Sequence, residues 1–326
     1  MATPAHQIVG RNEVETKSSE MGSTLAALSN DLAGAVERAG RVVVAVHARP
    51  RTPSSGVYWR QGVVVTADHT VERDEEITVT LPDGRTVAAT LAGRDQSTDL
   101  AVLKIEATGI GAAEIGDPSL LKVGHMVLAV GRGEKGHTGP TASLGVVSAL
   151  SGPWRTWHGG AIDLFVRLDL SIFLGFSGGP LVDARGRVVG INTTGLWRNV
   201  GIAVPASTVE RVAKELLEKG RISRAYLGLG MQSVRLPDAL RRKLNLTGDA
   251  GMMVTIVEPG GPAEKAGAVI GDVLVAIDGK PVSDIGGVQS FLGGERVGKT
   301  LTALFIRGGV LTELAITLGE QLGGEK

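Results

Sequence analysis

The sequence lacks cysteine, has few aromatic residues, shows no excess of either charge and contains no long apolar run. The absence of cysteine excludes disulfides, a thiol nucleophile and Cys-ligated zinc. The 34 basic and 34 acidic residues cancel, so the chain lacks the basic surface typical of nucleic-acid binding. Its longest apolar runs fall short of the ~20 residues that a membrane helix needs. We therefore expect a soluble chain with no membrane span and no nucleic-acid partner.

Glycine is the residue type in excess, with 47 of 326 residues, whereas Phe, Trp and Tyr together make up 3%. Glycine tolerates the positive φ angles of tight turns, so this composition favours β-structure over a helical bundle. The first twenty residues are polar and mixed in charge, without the basic and apolar segments of an export signal. As written, the sequence predicts a cytoplasmic protein, although an exported protein whose signal had been removed would look the same.

The residue pattern changes several times along the chain. From Ser23 apolar residues recur at helical spacing, and Gly40 is a plausible end of that helix. Residues 41–205 form about ten short β-branched segments separated by turn sequences. The pattern predicts five segments: a disordered leader (1–22), a mostly β domain with an N-terminal helix (23–205), a linker helix (206–222), a second domain of mixed strands and helix (223–320) and a tail (321–326).

Three short motifs carry the candidate chemistry of the first domain. An apolar strand ends in a turn with His69, Asp99 opens a second apolar strand, and Ser177 stands in Gly-Phe-Ser-Gly-Gly-Pro. They follow one another in the order His, Asp, Ser, separated by 30 and 78 residues. This is the chain order of chymotrypsin-type proteases.

Each residue type suits a step of acyl transfer. A serine hydroxyl attacks only when an imidazole takes its proton, and a buried carboxylate fixes the tautomer of that imidazole. The glycines near Ser177 allow a sharp turn that directs backbone N–H groups at a developing oxyanion. We assign those two donors to Gly175 and Ser177.

Residues 41–205 resemble the protease domain of the HtrA (Deg) family. The resemblance implies a chymotrypsin-like double β-barrel with the triad in the cleft, His69 as general base, Asp99 as its orienter and Ser177 as nucleophile. It also implies action on unfolded or partly unfolded proteins without metal or cofactor, a homotrimer and an exported, often periplasmic, protein. The segments that carry the resemblance are Thr98–Ile105, Gly145–Ala149, Ser177–Val182 and Val189–Thr193.

The chain departs from the family pattern at two places. Ala67-Asp68 precedes the histidine where the family usually has Asn-Asn, and Phe173–Phe176 replaces the usual Asn-Pro-Gly-Asn before the serine. The second change places Phe176 beside the nucleophile, where it either lines the cleft or holds the loop. The position six residues before the serine, at the base of the primary pocket in such enzymes, is Ser171, with Ile191 predicted nearby. Because neither is acidic, we expect cleavage after a small or medium apolar residue rather than after Lys or Arg.

Residues 224–320 resemble a PDZ domain, a small α/β barrel-like sandwich. The resemblance rests on Gly261–Gly267 and, more specifically, on Gly271–Val282. It implies that peptide C-termini bind as an added strand, with the carboxylate held by backbone N–H groups. The predicted peptide-binding residues are Tyr226, Leu227, Gly228 and Leu229.

Other interpretations remain beside the protease prediction. The chief alternative is a catalytically silent scaffold or chaperone that holds peptides in the PDZ groove. Gly131–Gly136 matches the dinucleotide-binding fingerprint, but no helix pattern follows it. The histidines at 125, 137 and 158 match no metal-ligand spacing.

Overall fold

The structure is a computed structural model that describes residues 11–107, 109–132, 139–157, 159–197 and 200–321. The chain forms two compact units, one made mainly of residues up to Leu217 and the other mainly of residues from Glu218 onward. Within the described ranges, no helix is long and apolar enough to cross a membrane.

The helices are α1 (Arg11–Gly40), α2 (Ala206–Lys219), α3 (Asp238–Leu244), α4 (Pro262–Lys265) and α5 (Ile285–Gln289). The strands are β1 (Val43–His47), β2 (Ser54–Arg60), β3 (Val63–Thr66), β4 (Ile77–Thr80), β5 (Thr86–Asp95), β6 (Leu100–Ile105), β7 (Met126–Gly131), β8 (Thr141–Ser151), β9 (Trp154–Arg155), β10 (Ala161–Ile162), β11 (Phe165–Asp169), β12 (Pro180–Asp183), β13 (Val188–Thr193), β14 (Gly201–Pro205), β15 (Arg224–Tyr226), β16 (Leu229–Arg235), β17 (Ala250–Val257), β18 (Val273–Ile277), β19 (Lys280–Pro281), β20 (Thr300–Arg307), β21 (Val310–Thr317) and β22 (Gly319–Gln321).

The N-terminal unit contains two closed barrels of six strands each. The strand order is β1-β2-β3-β6-β5-β4 in the first and β11-β14-β13-β12-β7-β8 in the second. Closure pairs each strand on both sides, so that the apolar runs are buried and the connecting loops carry the exposed backbone. The predicted chymotrypsin-like double barrel is confirmed.

The C-terminal unit is an open sheet in the order β16-β17-β18-β20-β21, with β19 paired to β18. Its core contains Leu227, Met252, Leu274, Val288 and Phe305. Among the described residues, strand β16 pairs with β17 only, and it therefore forms one edge of this sheet. The predicted PDZ fold is confirmed.

Two predictions about local structure differ from the observed fold. Helix α1 begins at Arg11 rather than at Ser23, so much of the predicted disordered leader is helical. The region from Arg11 to Met21 contains no Pro or Gly, and its three Glu and one Lys are good helix formers. Strand β2 was not predicted, because its Ser54-Ser55-Gly56 start has the composition of a turn. Gly56 is required there, since a Cβ would lie 2.9 Å from side-chain carbons of Val46 and Val64.

Candidate active site

Strand pairing brings His69 and Asp99 together. His69 lies in a 3₁₀ turn that follows the fully buried β3, and Asp99 directly precedes β6. Because β3 and β6 are antiparallel with Thr66 opposite Ala101, the end of one strand meets the start of the other. The His69 backbone N–H donates to Asp99 Oδ1 at 2.8 Å, and its Nδ1 lies 2.8 Å from Oδ2. This geometry leaves Nε2 of the imidazole directed away from the carboxylate.

The Asp99 carboxylate is buried, and both of its oxygens accept hydrogen bonds. Its side chain is 5% exposed, and its backbone has φ of +56°, a strained value for a residue other than glycine. The Thr193 hydroxyl donates to Asp99 Oδ2 and accepts the Gly195 N–H at 2.9 Å. A buried carboxylate with these donors holds the histidine Nδ1 proton and stabilises an imidazolium.

Three consecutive residues, the last one of β13 and the two that follow it, contact the three predicted catalytic residues in turn. Thr193 bonds Asp99, and Thr194 Oγ1 lies 3.3 Å from Ser177 Oγ. A Cβ on Gly195 would lie 2.7 Å from both His69 Nδ1 and Asp99 Oδ2, so its backbone packs directly against the pair. These residues were not singled out as site residues from the sequence. The signal for them was the polar Thr-Thr-Gly turn that ends the buried β13.

The loop between β11 and β12 carries Ser177, which is 6% exposed. Gly178 has φ of +86°, and a Cβ there would lie 2.2 Å from Ser55 O, so only glycine fits. Within the described part of the chain, the N–H groups of Gly175 and Ser177 donate to no backbone carbonyl. Their neighbours do donate: Phe176 to Phe173 O (3.0 Å), Gly178 to Asn192 O (2.9 Å) and Gly179 to Phe176 O (2.9 Å).

Each departure from the family pattern contributes a buried side chain, Asp68 in the first and Phe176 in the second. Phe176 is 1% exposed and packs against Phe173, with ring centroids 5.5 Å apart. Its ring also fills the space over Gly131, where a Cβ would lie 2.7 Å from Phe176 Cδ1. Phe176 therefore supports the loop and does not line an open cleft. Asp68 pairs with the Arg94 guanidinium.

The predicted pocket residues differ in exposure. Ser171 is exposed, and its place at the base of the pocket stays a prediction. Ile191 is 0% exposed and lies in β13, paired with Pro180 and Val204. Ile191 is therefore closed to solvent in this structure, and its assignment to the pocket wall stays a prediction.

In the C-terminal unit, the predicted peptide-binding residues span the start of β16. Gly228 has φ of +74°, and Leu227 is buried in the core. The N–H groups of Leu227 and Gly228 donate to no backbone carbonyl of the described residues. Tyr226 lies in β15, and its ring covers Gly319, where a Cβ would be 2.4 Å from Cε1.

Among the described residues, no three His, Asp or Glu side chains are grouped as metal ligands. His137 and His158 lie outside those residues, as does most of the Gly131–Gly136 fingerprint.

The family models and curated proteins that this chain resembles agree on a trypsin-like serine protease with a PDZ domain. Residues 54–191 match the model of the trypsin-like peptidase domain, and residues 253–302 match that of the PDZ domain. The chain is 29% identical over 356 aligned positions to the serine protease Do-like HtrA of Lactobacillus helveticus, covering 94% of this chain and 84% of that protein. It is 37% identical over 246 positions to a probable periplasmic serine endoprotease, DegP-like, of Brucella suis, covering 73% of this chain and 47% of that protein. The chain thus spans about half the length of this second relative.

Solved structures of similar fold match most of the length of this chain. The HtrA-type protease AlgW with a tripeptide has a TM-score of 0.72 and 32% identity, and the match covers 90% of this chain and 99% of that one. The sequence match therefore extends over both units. The chain belongs to the HtrA family and is a serine-type endopeptidase with one PDZ domain.

Proposed function

We propose that the chain cleaves unfolded or partly unfolded protein segments with Ser177 as nucleophile, His69 as general base and Asp99 as its orienter. The observation that carries this proposal is the contact of Thr193, Thr194 and Gly195 with these three residues in turn. A single rigid turn that touches all three is what a preorganised site requires.

The reaction follows from the contacts. The Ser177 hydroxyl turns from Thr194 towards His69, gives its proton to Nε2 and attacks the substrate carbonyl carbon. The carbonyl oxygen becomes an oxyanion that accepts hydrogen bonds from the Gly175 and Ser177 N–H groups, the two donors that no backbone carbonyl of the described chain uses. The imidazolium, held at Nδ1 by Asp99, then protonates the leaving amine. Water hydrolyses the acyl-enzyme by the same route, and no metal or cofactor takes part.

Labelling with a fluorophosphonate tests the nucleophile. We expect wild-type protein to be labelled and to cleave casein, and the Ser177→Ala variant to do neither. If folded wild-type protein stays unlabelled even with C-terminal peptides added, the catalytic proposal is wrong. A scaffold that only holds peptides then becomes the better description.

The C-terminal unit is proposed to bind peptide C-termini. Strand β16 offers an unpaired edge to an extended peptide, and the Leu227 and Gly228 N–H groups are available for its carboxylate. The complex of AlgW with a tripeptide supports peptide binding in a relative. Fluorescence anisotropy should show that a labelled peptide binds with a free C-terminus and loses affinity when it is amidated.

Specificity, assembly and compartment are further parts of the proposal. Because Ser171 supplies no negative charge, we expect cleavage after small or medium apolar residues. A peptide-library digest analysed by mass spectrometry tests this specificity.

A homotrimer, implied by the family resemblance, predicts three times the monomer mass of 33.7 kDa in light scattering. The name of the Brucella suis relative supports an exported, periplasmic protein, which cell fractionation tests.

A further inference from the structure

Strand β2, which the sequence pattern did not predict, contacts the loop that carries the nucleophile. Its second residue, Ser55, is 0% exposed. The Ser55 Oγ donates to Gly175 O at 2.6 Å, and the Ser55 N–H donates to Ser177 O at 3.2 Å. One residue of the first barrel therefore holds two carbonyl groups of a loop that belongs to the second barrel, 120 residues further along the chain.

The direction of the Ser55 hydroxyl is fixed. A serine hydroxyl has one proton to donate and two lone pairs to accept with. The Arg132 N–H donates to Ser55 Oγ at 2.9 Å, so the oxygen is already an acceptor on that side. Its single proton is consequently directed at Gly175 O. This bond is buried and oriented rather than a freely rotating surface contact.

Ser55 and Arg132 are themselves held in place. Ser55 lies opposite Ala45 in the β1–β2 ladder, and its carbonyl accepts the Thr66 hydroxyl at 2.7 Å. The Arg132 guanidinium donates to Val43 O and Gly40 O at 2.7 and 2.9 Å. Ser55 is thus a fixed point and not a side chain that could follow a moving loop.

The constraint acts on the peptide groups that flank the oxyanion donors. The carbonyl of Gly175 is held by Ser55, and the next N–H, that of Phe176, is held by Phe173 O. The carbonyl of Ser177 is held by the Ser55 N–H. With these peptide planes fixed, the Gly175 and Ser177 N–H groups have little freedom to turn. Preorganised donors of this kind stabilise an oxyanion without reorganisation during the reaction.

We propose that Ser55 is a positioning residue that keeps the oxyanion loop in its donor-presenting shape through the Oγ bond to Gly175 O. The inference rests on the proposed role of the Gly175 and Ser177 N–H groups. Ser55 touches neither substrate nor nucleophile hydroxyl, and it acts on the rate through the loop.

The test compares Ser55→Ala with Thr208→Val in the full chain. Ser55→Ala removes the Oγ bond to Gly175 and keeps the backbone bond to Ser177 O. Thr208 in α2 is an equally buried hydroxyl that accepts the Asp163 N–H at 3.0 Å. Its variant therefore controls for the general cost of losing a buried hydroxyl. Both are measured for kcat and KM on a peptide substrate, for the rate of fluorophosphonate labelling, and for affinity towards a peptide boronic acid.

We expect Ser55→Ala to lower kcat roughly 10–100-fold with KM within about 2-fold of wild type. This is less than the ~10²–10³-fold loss for removing an oxyanion donor outright. Affinity for the boronic acid, whose tetrahedral adduct places an oxygen in the oxyanion hole, should fall with kcat. Affinity for the corresponding peptide without boron should not change. Thr208→Val should leave all of these values near wild type.

The outcomes separate this inference from the proposed function. If wild-type protein is labelled and Ser177→Ala is not, but Ser55→Ala matches wild type in kcat and boronic-acid affinity, the positioning role is wrong and the protease proposal stands. If Thr208→Val lowers kcat as much as Ser55→Ala does, the positioning role is also wrong, because a general loss of stability would then explain both results. If wild-type protein is never labelled, the proposed function fails and the positioning role falls with it.

Discussion

The two units of the chain differ in where their candidate sites lie: on loops between strands in one, and along an edge strand in the other. The N-terminal unit closes both of its main sheets, so its strands have no edge to offer and the candidate site lies on the loops between them. The C-terminal unit leaves β16 at an edge, so the strand itself is the proposed binding surface. The proposed catalysis therefore depends on side chains and fixed loops, whereas the proposed peptide binding depends on the backbone of an edge strand. The predictions below test that separation.

The largest expected effect follows from the loss of charge at Asp99. Asp99→Asn should lower kcat about 10⁴-fold, because an amide no longer fixes the histidine tautomer or stabilises the imidazolium. Peptide affinity at β16 should be unchanged when both are measured on the full chain. Asp163→Asn is the matched control, since that carboxylate is exposed and pairs with Arg211 at the surface. A parallel loss of peptide affinity in Asp99→Asn would contradict the separation of the two functions.

Phe176 should contribute mainly to stability of the N-terminal unit. Phe176→Ala removes a fully buried ring from the space above Gly131, which should lower the free energy of unfolding by about 3–5 kcal/mol. Tryptophan fluorescence during urea unfolding measures it, because three of the four Trp residues, Trp59, Trp154 and Trp197, belong to this unit. The neighbouring Phe173 is 55% exposed, so Phe173→Ala should cost clearly less. Equal costs would show that Phe176 is not a core residue.

The pH dependence of the C-terminal unit should report on Asp272. The hydrogen bond from Arg307 is the main reason that the pKa of this buried carboxyl lies below its ordinary value. A lowered folded-state pKa gives stability that is present above the unfolded pKa of ~3.9 and is lost as pH falls through the folded value. Asp272→Asn should therefore destabilise this unit by roughly 2 kcal/mol at pH 7, and the difference should shrink below about pH 4.

Amide exchange in β18 and β20 during urea titration of the full chain, at pH 7 and pH 3, measures this effect. Asp238→Asn is the control, because its side chain is 75% exposed and pairs with Arg241 one helical turn away, which is typically worth under ~0.5 kcal/mol. A difference between wild type and Asp272→Asn that stays constant with pH would rule out the titration of Asp272 as the cause.

The smallest expected effect concerns the backbone of the peptide-binding loop. Gly228 has φ of +74°, where an alanine costs about 1–2 kcal/mol. Relief of this strain should move the Leu227 and Gly228 N–H groups and weaken binding of a C-terminal peptide about 10-fold, with kcat on a short substrate unchanged. Gly298→Ala carries the same backbone penalty at φ of +76° with open space around it. If Gly298→Ala weakens binding equally, the effect is general and not local to the groove.

Prediction from sequence succeeded where a motif is local. His69 and Asp99 were predicted to work together because one follows an apolar strand and the other precedes one, and the ladder between β3 and β6 does bring them into contact. Prediction from sequence was less successful where the composition of a segment is typical of a loop but the segment forms a strand or a helix. Ser54-Ser55-Gly56 has the composition of a turn but starts a buried strand, and the polar residues after Arg11 were predicted as disordered but are helical. Ile191 and Ser171 were predicted together at the pocket, but burial separates them, because Ile191 is 0% exposed and Ser171 is exposed.

The sequence by itself determined the family, the order of the three candidate catalytic residues and the presence of two domains, because these depend on short motifs and on strand periodicity. Only the tertiary structure decided which groups hold those residues. Ser55 reaches Gly175 across 120 positions, and Thr193 reaches Asp99 across 94. Likewise, the edge position of β16 depends on which strands pair with it. Such contacts arise when the chain folds back on itself, and no local pattern encodes which distant donor will meet a given carbonyl.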